Sequence, residues 1–196
     1  MSLVLGPTSP NKPQRERSFQ IALDFFTVPT ATFRVLFVLV MLAHSRRRVV
    51  HFNVTEHPTA EWTARQLLEV CALEDGPRYL IRDRDRVYGE RFSRQATALG
   101  IREALIAPRS PWQNAYAERV IGSIRRECLD HVVVIGERHL RQVLLKYVEY
   151  YNRTRTHLSL AKDAPEPRSV QLPSAGRVVK VPLVGGLHHK YLRRAA

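Results

Sequence analysis

Three acidic residues stand where acidic residues are costly. Asp24 interrupts the apolar run Phe19-Gln20-Ile21-Ala22-Leu23-Asp24-Phe25-Phe26, and Asp83 closes the shorter run Tyr79-Leu80-Ile81-Arg82-Asp83. Glu118 lies in a segment whose apolar residues recur at helical spacing. A lone carboxylate in a core strand is destabilising unless it is paired or bound to a cation. Two on strands and one on a helix suggest a shared metal ion.

The element that must carry Glu118 runs from Pro108 to Leu129. Ser110 is placed to cap a helix, Pro111 suits its first position, and Gln113 completes an S-x-x-Q capping box. Ala117, Ile121, Ile124 and Cys128 form the expected buried stripe. Asn114, Glu118, Gly122 and Arg125 share the neighbouring face, at i, i+4, i+8 and i+11. A solvated helix face has the same pattern, so Glu118 takes its meaning from Asp24 and Asp83.

The ordered set of Asp24, Asp83 and Glu118, the P-x-x-N-x-x-x-E run from Pro111 to Glu118, Arg125, and Tyr151-Asn152-Arg153 followed by His157 resembles the catalytic core of D,D,E insertion-sequence transposases and retroviral integrases. The resemblance spans Phe19 to Leu160. It implies a ribonuclease H-like α/β fold, a five-stranded mixed sheet flanked by helices, and a metal site for DNA strand cleavage and strand transfer. Under it, Asp24, Asp83 and Glu118 are the catalytic residues. They ligate two Mg2+ or Mn2+ ions about 4 Å apart, with Asp24 bridging both, Asp83 on one and Glu118 on the other. Water attacks first and frees a 3′-hydroxyl, which then attacks target DNA. Arg125 and Arg126 would bind DNA, Arg125 near the scissile bond. Asn114 would either touch DNA or hold the start of the Glu118 helix.

Two departures from the family pattern bear on the site. There are 34 residues between Asp83 and Glu118, where related cores often have one more. In the R-D-R-D of Arg82 to Asp85, Asp85 stands where relatives commonly have Gly, so Asp85 competes with Asp83 as second ligand. The position of Asp83 at the strand's end favours Asp83. Asn152 reads as structural, and His157 is open between a structural and a DNA-facing role.

The 196 residues can hold one sizeable α/β domain plus tails. Lys and Arg total 31 against 18 Asp and Glu, a net charge of +13, and 26 of the 31 are Arg. Guanidinium forks fit phosphate oxygens in pairs, which suits a polyanionic partner. Cys71 and Cys128 fall on helical stripes and are not spaced for zinc, so they read as reduced core thiols. The longest apolar run, Val35 to Ala43, is too short to span a bilayer. The expected setting is the bacterial cytoplasm or nucleoid. The expected partners are mobile-element ends, target DNA and further copies of the chain, with no membrane.

In order, residues 1–18 read as a flexible basic arm, 19–160 as the catalytic core and 161–196 as a Pro-rich basic tail. Strands are expected over Phe19 to Thr27, Thr32 to Ala43 and Arg47 to Val54, forming a meander. A helix capped by Thr59 follows, from Ala60 to Leu73, with stripe Ala64, Leu67, Leu68 and Cys71. Strand four, Arg78 to Arg82, is expected to pair in parallel beside strand one. A short helix marked by Phe92, Ala96 and Leu99 stops at Gly100, and Ile101 to Ala107 is strand five. The last helix, Arg138 to Asn152, turns Leu140, Val143, Leu144, Tyr147 and Tyr151 inward. The tail is expected to hold at most one short strand, Arg177 to Val181, with His188 and His189 a chance pair in a loose segment. No helix-turn-helix pattern is visible in residues 1–18. The competing readings are therefore a non-catalytic DNA-binding remnant of a mobile element, and a nuclease of the same fold.

Overall fold

The computed structural model describes residues 19–73 and 76–195; the arm read over residues 1–18 lies outside them. Strands β1 (Gln20–Pro29), β2 (Val35–Ala43) and β3 (Arg48–Thr55) form the expected antiparallel meander. Helix α1 (Ala60–Leu73) starts on Thr59, whose Oγ1 accepts from the Trp62 amide at 3.1 Å. Next come β4 (Tyr79–Arg82), α2 (Gly89–Ala98) and β5 (Arg102–Leu105). Gly100, at φ 72°, ends the α2 segment in the left-handed region that favours glycine. Helices α3 (Ala115–Glu127) and α4 (Glu137–Arg153) complete the core.

The sheet order is β3-β2-β1-β4-β5, with β4 parallel to β1 and β5 parallel to β4. Each face of this mixed sheet is covered. Phe26, Val28, Leu36, Val38, Val40 and Leu42 pack with Val120 and Ile124 of α3 and with Leu140, Leu144, Tyr147 and Tyr151 of α4. Ile21, Leu23, Leu39 and Met41 pack on the opposite side with α1 and α2. Burial on both faces explains why β2 reads as an unbroken apolar run and why β1 is apolar on either side of Asp24. The period of two in β1 puts Asp24 on the same side as Phe26 and Val28, toward α3.

Three local readings change. In α1 the buried set is Thr63, Ala64, Gln66, Leu67 and Val70, whereas Leu68 is 43% exposed and Cys71 half-buried. Polar Thr63 and Gln66 are tolerated inside because both are bonded: Thr63 Oγ1 donates to Thr59 O at 2.9 Å, and Gln66 Oε1 lies 3.0 Å from His51 Nε2. The Ser110 capping box does not form. Residues Pro111–Asn114 make a 3-10 turn with no side-chain cap, and Gln113 Oε1 accepts from the Ala107 amide at 2.8 Å. The tail is not limited to one strand, because β6 (Arg177–Leu183) and β7 (His188–Arg194) pair as an antiparallel hairpin. Leu183 and Val184 anchor the hairpin on the α3/α4 core. His188 is no loose residue: its ring stacks on Tyr150 at 4.1 Å and 7°, and its Nε2 donates to Glu127 O at 2.8 Å.

Candidate active site

The parallel register pairs Ile21 with Leu80 and Ala22 with Ile81. Carried two residues on, it sets Asp24, in the middle of β1, beside Asp83, which directly follows the last residue of β4. Asp85 is used otherwise: its side chain accepts from the Val87 amide at 3.2 Å and caps the 3-10 turn Arg86–Tyr88. Asp83 Oδ1 in turn accepts from the Asp85 amide at 3.1 Å. The two aspartates that compete in the sequence thus have different surroundings, and Asp83 is the one whose charge reaches Asp24.

Glu118 comes from the other side. Helix α3 lies along β1 so that Glu118, Ile121, Gly122 and Arg125 face Asp24, Phe25, Phe26 and Thr27 across an open cleft of about 510 Å3. The helix is fixed there by Asn114. It is only 4% exposed, and its Nδ2 donates to Leu23 O at 3.0 Å. Of the two roles open to Asn114, its burial serves the holding one. Arg125 spans the far end of the cleft, donating to Thr27 O at 3.1 Å with its guanidinium 5.2 Å from the Phe26 ring centre. Arg126 is exposed on the next face of the helix.

Burial pushes the Asp24 carboxyl up to about 7, against a lowering hydrogen bond from the Phe25 amide, and the charges of Asp83 and Glu118 push it further up. A carboxyl in that state has its ionised form disfavoured on every count except one short bond. Among the described residues no three His, Cys, Asp or Glu are grouped, as they stand, to hold a metal ion. The donor chemistry nonetheless fits a hard divalent cation, since the side chains that share this field are oxygen-only carboxylates whose mutual repulsion a cation removes.

Two residues at the site went unread in the sequence. Arg82, 7% exposed, is bonded on all sides: Nε donates to Glu103 at 2.6 Å, Nη2 to Ser93 Oγ at 3.1 Å, and Nη1 to the Asp83 main-chain oxygen at 2.9 Å. It fixes the backbone from which Asp83 projects. Tyr88 is buried beneath the site among Phe25, Phe92 and Arg82, and among the described residues its hydroxyl has no hydrogen-bond partner. Burial first, then the charges of Asp83 and Asp24, hold its pKa well above the usual phenol range. An arginine inside R-D-R-D resembles a solvated charge, and only the sheet position of β4 reveals its burial.

Asn152 has the structural role expected of it, its amide and carbonyl bonding the main chain of Val49 at 2.8 and 3.0 Å. Arg153 is exposed and pairs with Glu166 at 2.9 Å. Cys128 is buried, which pushes its thiol up to about 11. No helix of the described residues is long and apolar enough to cross a membrane.

Comparison with known proteins bears on the family and the fold. The integrase core domain family matches residues 99–165, from the end of α2 past α4 and including Glu118. The insertion element IS476 uncharacterised 39.2 kDa protein of Xanthomonas euvesicatoria is 27% identical over 145 residues, which is 74% of this chain and 42% of that protein. The chain thus spans less than half the length of this curated relative. Among solved structures, a chain of the simian T-cell lymphotropic virus intasome in complex with PP2A regulatory subunit B56 gamma superposes with a TM-score of 0.61 at 14% identity, over 89% of this chain and 66% of that one. The HTLV-2 integrase catalytic core domain in complex with magnesium, in its trimeric form, gives 0.58 at 13% identity, over 74% of this chain and 92% of that one. The BIV integrase catalytic core domain gives 0.52 at 17% identity, over 76% and 91%. In sequence this chain is similar to integrase cores and to an insertion-element protein, and in structure it has the ribonuclease H-like fold of an integrase catalytic core.

Proposed function

We propose that the chain is the catalytic core of a transposase or integrase that cuts DNA and joins the resulting 3′-hydroxyl to a second DNA, using divalent metal at Asp24, Asp83 and Glu118. The observation that supports this reading is that Asp24 feels the charges of two carboxylates from separate elements: Asp83, beyond the end of the neighbouring strand, and Glu118, across the cleft on α3. Acidic groups held against one another are relieved by a cation or by a proton on one of them, and near neutral pH the cation is the stronger relief.

In this reading Asp24, Asp83 and Glu118 would hold the cofactors, two Mg2+ or Mn2+ ions. When bound, the metal supplies Lewis-acid stabilisation of the phosphorus centre and a more acidic attacking hydroxyl. Arg82 keeps Asp83 in place through its main-chain oxygen, and Asn114 keeps the helix of Glu118 against β1. Arg125, at the end of the cleft, offers its remaining donors to a phosphate oxygen of the scissile strand, with Arg126 beside it on the DNA path. DNA ends and target DNA are the substrates, and the working form contains more than one copy of the chain, because two ends must be joined together. The division into an arm over 1–18, a core over 19–160 and a tail over 161–196 belongs to the same proposal.

One observation favours a second reading, a DNA-binding remnant without activity: the carboxylates do not form a ready metal group among the described residues. Thermal stability under Mg2+ or Mn2+ separates the two. Wild type should be stabilised, with the response lost in Asp24→Asn, Asp83→Asn and Glu118→Gln and kept in Asp85→Asn. Absence of any metal response would favour the remnant. Joining of a labelled 3′-hydroxyl oligonucleotide into plasmid DNA then distinguishes strand transfer from simple nuclease action.

A further inference from the structure

A second cavity, of about 210 Å3, lies beside the next face of α3, with Arg47, Arg119, Ser123, Arg126, Arg155 and His157 in its wall. Arg119, Ser123 and Arg126 are spaced i, i+4, i+7, one residue behind the Glu118, Gly122 and Arg125 set that faces the carboxylate cleft. The helix therefore carries two adjacent rows, one along each cavity.

The charges of this wall are unbalanced. Arg155 is committed to Glu127, with Nε to Oε2 at 2.8 Å and Nη2 to Oε1 at 2.6 Å. Arg46, next to Arg47, is likewise spent on structure, bonding Asp163 at 2.6 Å, Ala164 O at 2.7 Å and Pro165 O at 2.8 Å. Among the described residues Arg47 has neutral partners, donating to Ser159 Oγ at 2.6 Å while its guanidinium lies 4.6 Å from the Tyr116 ring centre. Among the described residues neither Arg119 nor Arg126 has an ion-pair partner. Three further guanidinium groups thus line one small space, and the carboxylate nearest to it, Glu127, is already taken by Arg155.

His157 gives an independent indication. Its Nδ1 lies 3.3 Å from Arg155 Nη1, and a guanidinium can only donate, so Nδ1 accepts and the ring hydrogen sits on Nε2. That Nε2 is buried, in a residue only 8% exposed, and among the described residues no acceptor meets it in good hydrogen-bond geometry. Burial first, then the charges of Arg155 and Arg47, hold the ring below its usual pKa and therefore neutral near pH 7, against the Glu127 charge and a contact with the Tyr151 main chain. A neutral donor without a well-placed acceptor beside three further guanidinium groups describes a seat for an anion with several acceptor oxygens.

We propose that this cavity binds a phosphate group, with Arg47, Arg119 and Arg126 neutralising it and the His157 Nε2 hydrogen and Ser123 hydroxyl as neutral donors. The cavity has room for one phosphate, not for a length of backbone. The phosphate belongs either to a nucleic-acid strand or to a free phosphate compound. The site stands whether or not the Asp24 cleft is catalytic, because it shares none of the three carboxylates.

The test is a titration of inorganic phosphate at constant ionic strength, followed by melting temperature, on wild type, Arg119→Gln, Arg47→Gln and the control Arg94→Gln. Arg94 is an exposed arginine of α2, remote in sequence from the cavity lining. Wild type and the control should show a saturable rise, and Arg119→Gln and Arg47→Gln about ten-fold weaker apparent affinity. A short DNA duplex added in competition that weakens phosphate binding identifies the occupant as a nucleic-acid phosphate, whereas no competition identifies a free phosphate compound. No saturable rise, or equal weakening in the cavity variants and the control, overturns the proposal. The metal titration of the carboxylates is a separate measurement, so either site can fail alone.

Discussion

The side-chain amide of Asn114 reaches across the core to the main-chain oxygen of Leu23, 3.0 Å away, and both groups are buried. Leu23 directly precedes Asp24, and Asn114 directly precedes α3, which carries Glu118. One hydrogen bond therefore sets the strand of one carboxylate against the helix of another. Asn114→Ala should lower stability by about 1–2 kcal/mol, the cost of leaving the Leu23 carbonyl without its donor. Urea denaturation measures the loss, and strand-cleavage rates in the folded variant should fall further than the unfolded fraction explains. A variant as stable and active as wild type would show the bond to be incidental.

Asp24 makes the metal-free protein sensitive to pH. Its folded pKa, about 7, lies above its ordinary value of 3.8, so the folded state holds the proton more tightly. The stability this gives is complete below pH 4 and is lost as pH rises through 7. Melting temperature without metal should therefore fall across that window. Asp24→Asn should remove the fall and exceed wild type at pH 8 by about 2–4 kcal/mol, reduced by partial solvent access. Divalent metal should restore wild type alone. Parallel pH profiles for wild type and Asp24→Asn would contradict the burial and repulsion assigned to this group.

DNA binding should be electrostatic and salt-sensitive. The logarithm of the association constant should fall linearly with the logarithm of salt concentration, by about 0.9 for each phosphate neutralised. Arg125→Gln should reduce that slope by about 0.9 if Arg125 meets one phosphate. Fluorescence anisotropy with a labelled duplex between low and moderate salt is sufficient. A flat salt response would remove the link between the net charge of +13 and a polyanionic partner.

Glu127 joins three elements. Its carboxylate takes both Arg155 bonds and the Tyr147 hydroxyl at 2.9 Å, while its main-chain oxygen takes His188 of the C-terminal hairpin. Burial raises its pKa, but the bonds from Arg155 and Tyr147 outweigh burial and leave it below the ordinary 4.5. Its contribution is thus present above pH 4.5 and is lost as pH falls through the lower folded value. Glu127→Gln should cost about 1–3 kcal/mol at pH 7 and less in acid, read by urea denaturation at both. An equal cost at pH 7 and in acid would rule out the ion pair as the source.

Much of the fold is legible because periodicity survives burial. The meander, the parallel placement of β4 and helices α1 and α4 follow from runs such as Val35 to Ala43 and from Leu140, Leu144, Tyr147 and Tyr151. Readings fail where a local signal competes with a distant partner. Gln113, three residues after Ser110, looks like half of a capping box, but its amide oxygen accepts from Ala107 instead. Leu68 fits the α1 stripe by residue type yet is exposed, while bonded Thr63 and Gln66 lie inside. The hairpin of β6 and β7 escaped because neither strand is strongly apolar, and its anchorage depends on Leu183, Val184 and His188 finding α3 and α4.

The sequence alone determined that acidic residues interrupt apolar elements, that the chain is arginine-rich and that strands precede and alternate with helices. These properties belong to residue types and their spacing, and side-chain period and hydrophobicity carry them without reference to the fold. Only the tertiary structure decided which aspartate of R-D-R-D adjoins Asp24, because strand register is fixed by pairing: it brings Asp83 alongside, while Asp85 turns to cap the next turn. Only the tertiary structure buried Asn114 and Arg82 behind the carboxylates and gathered Arg47, Arg119, Arg126 and His157 around one cavity. Those groups lie far apart along the chain, and their proximity is a consequence of how α3 packs on the sheet.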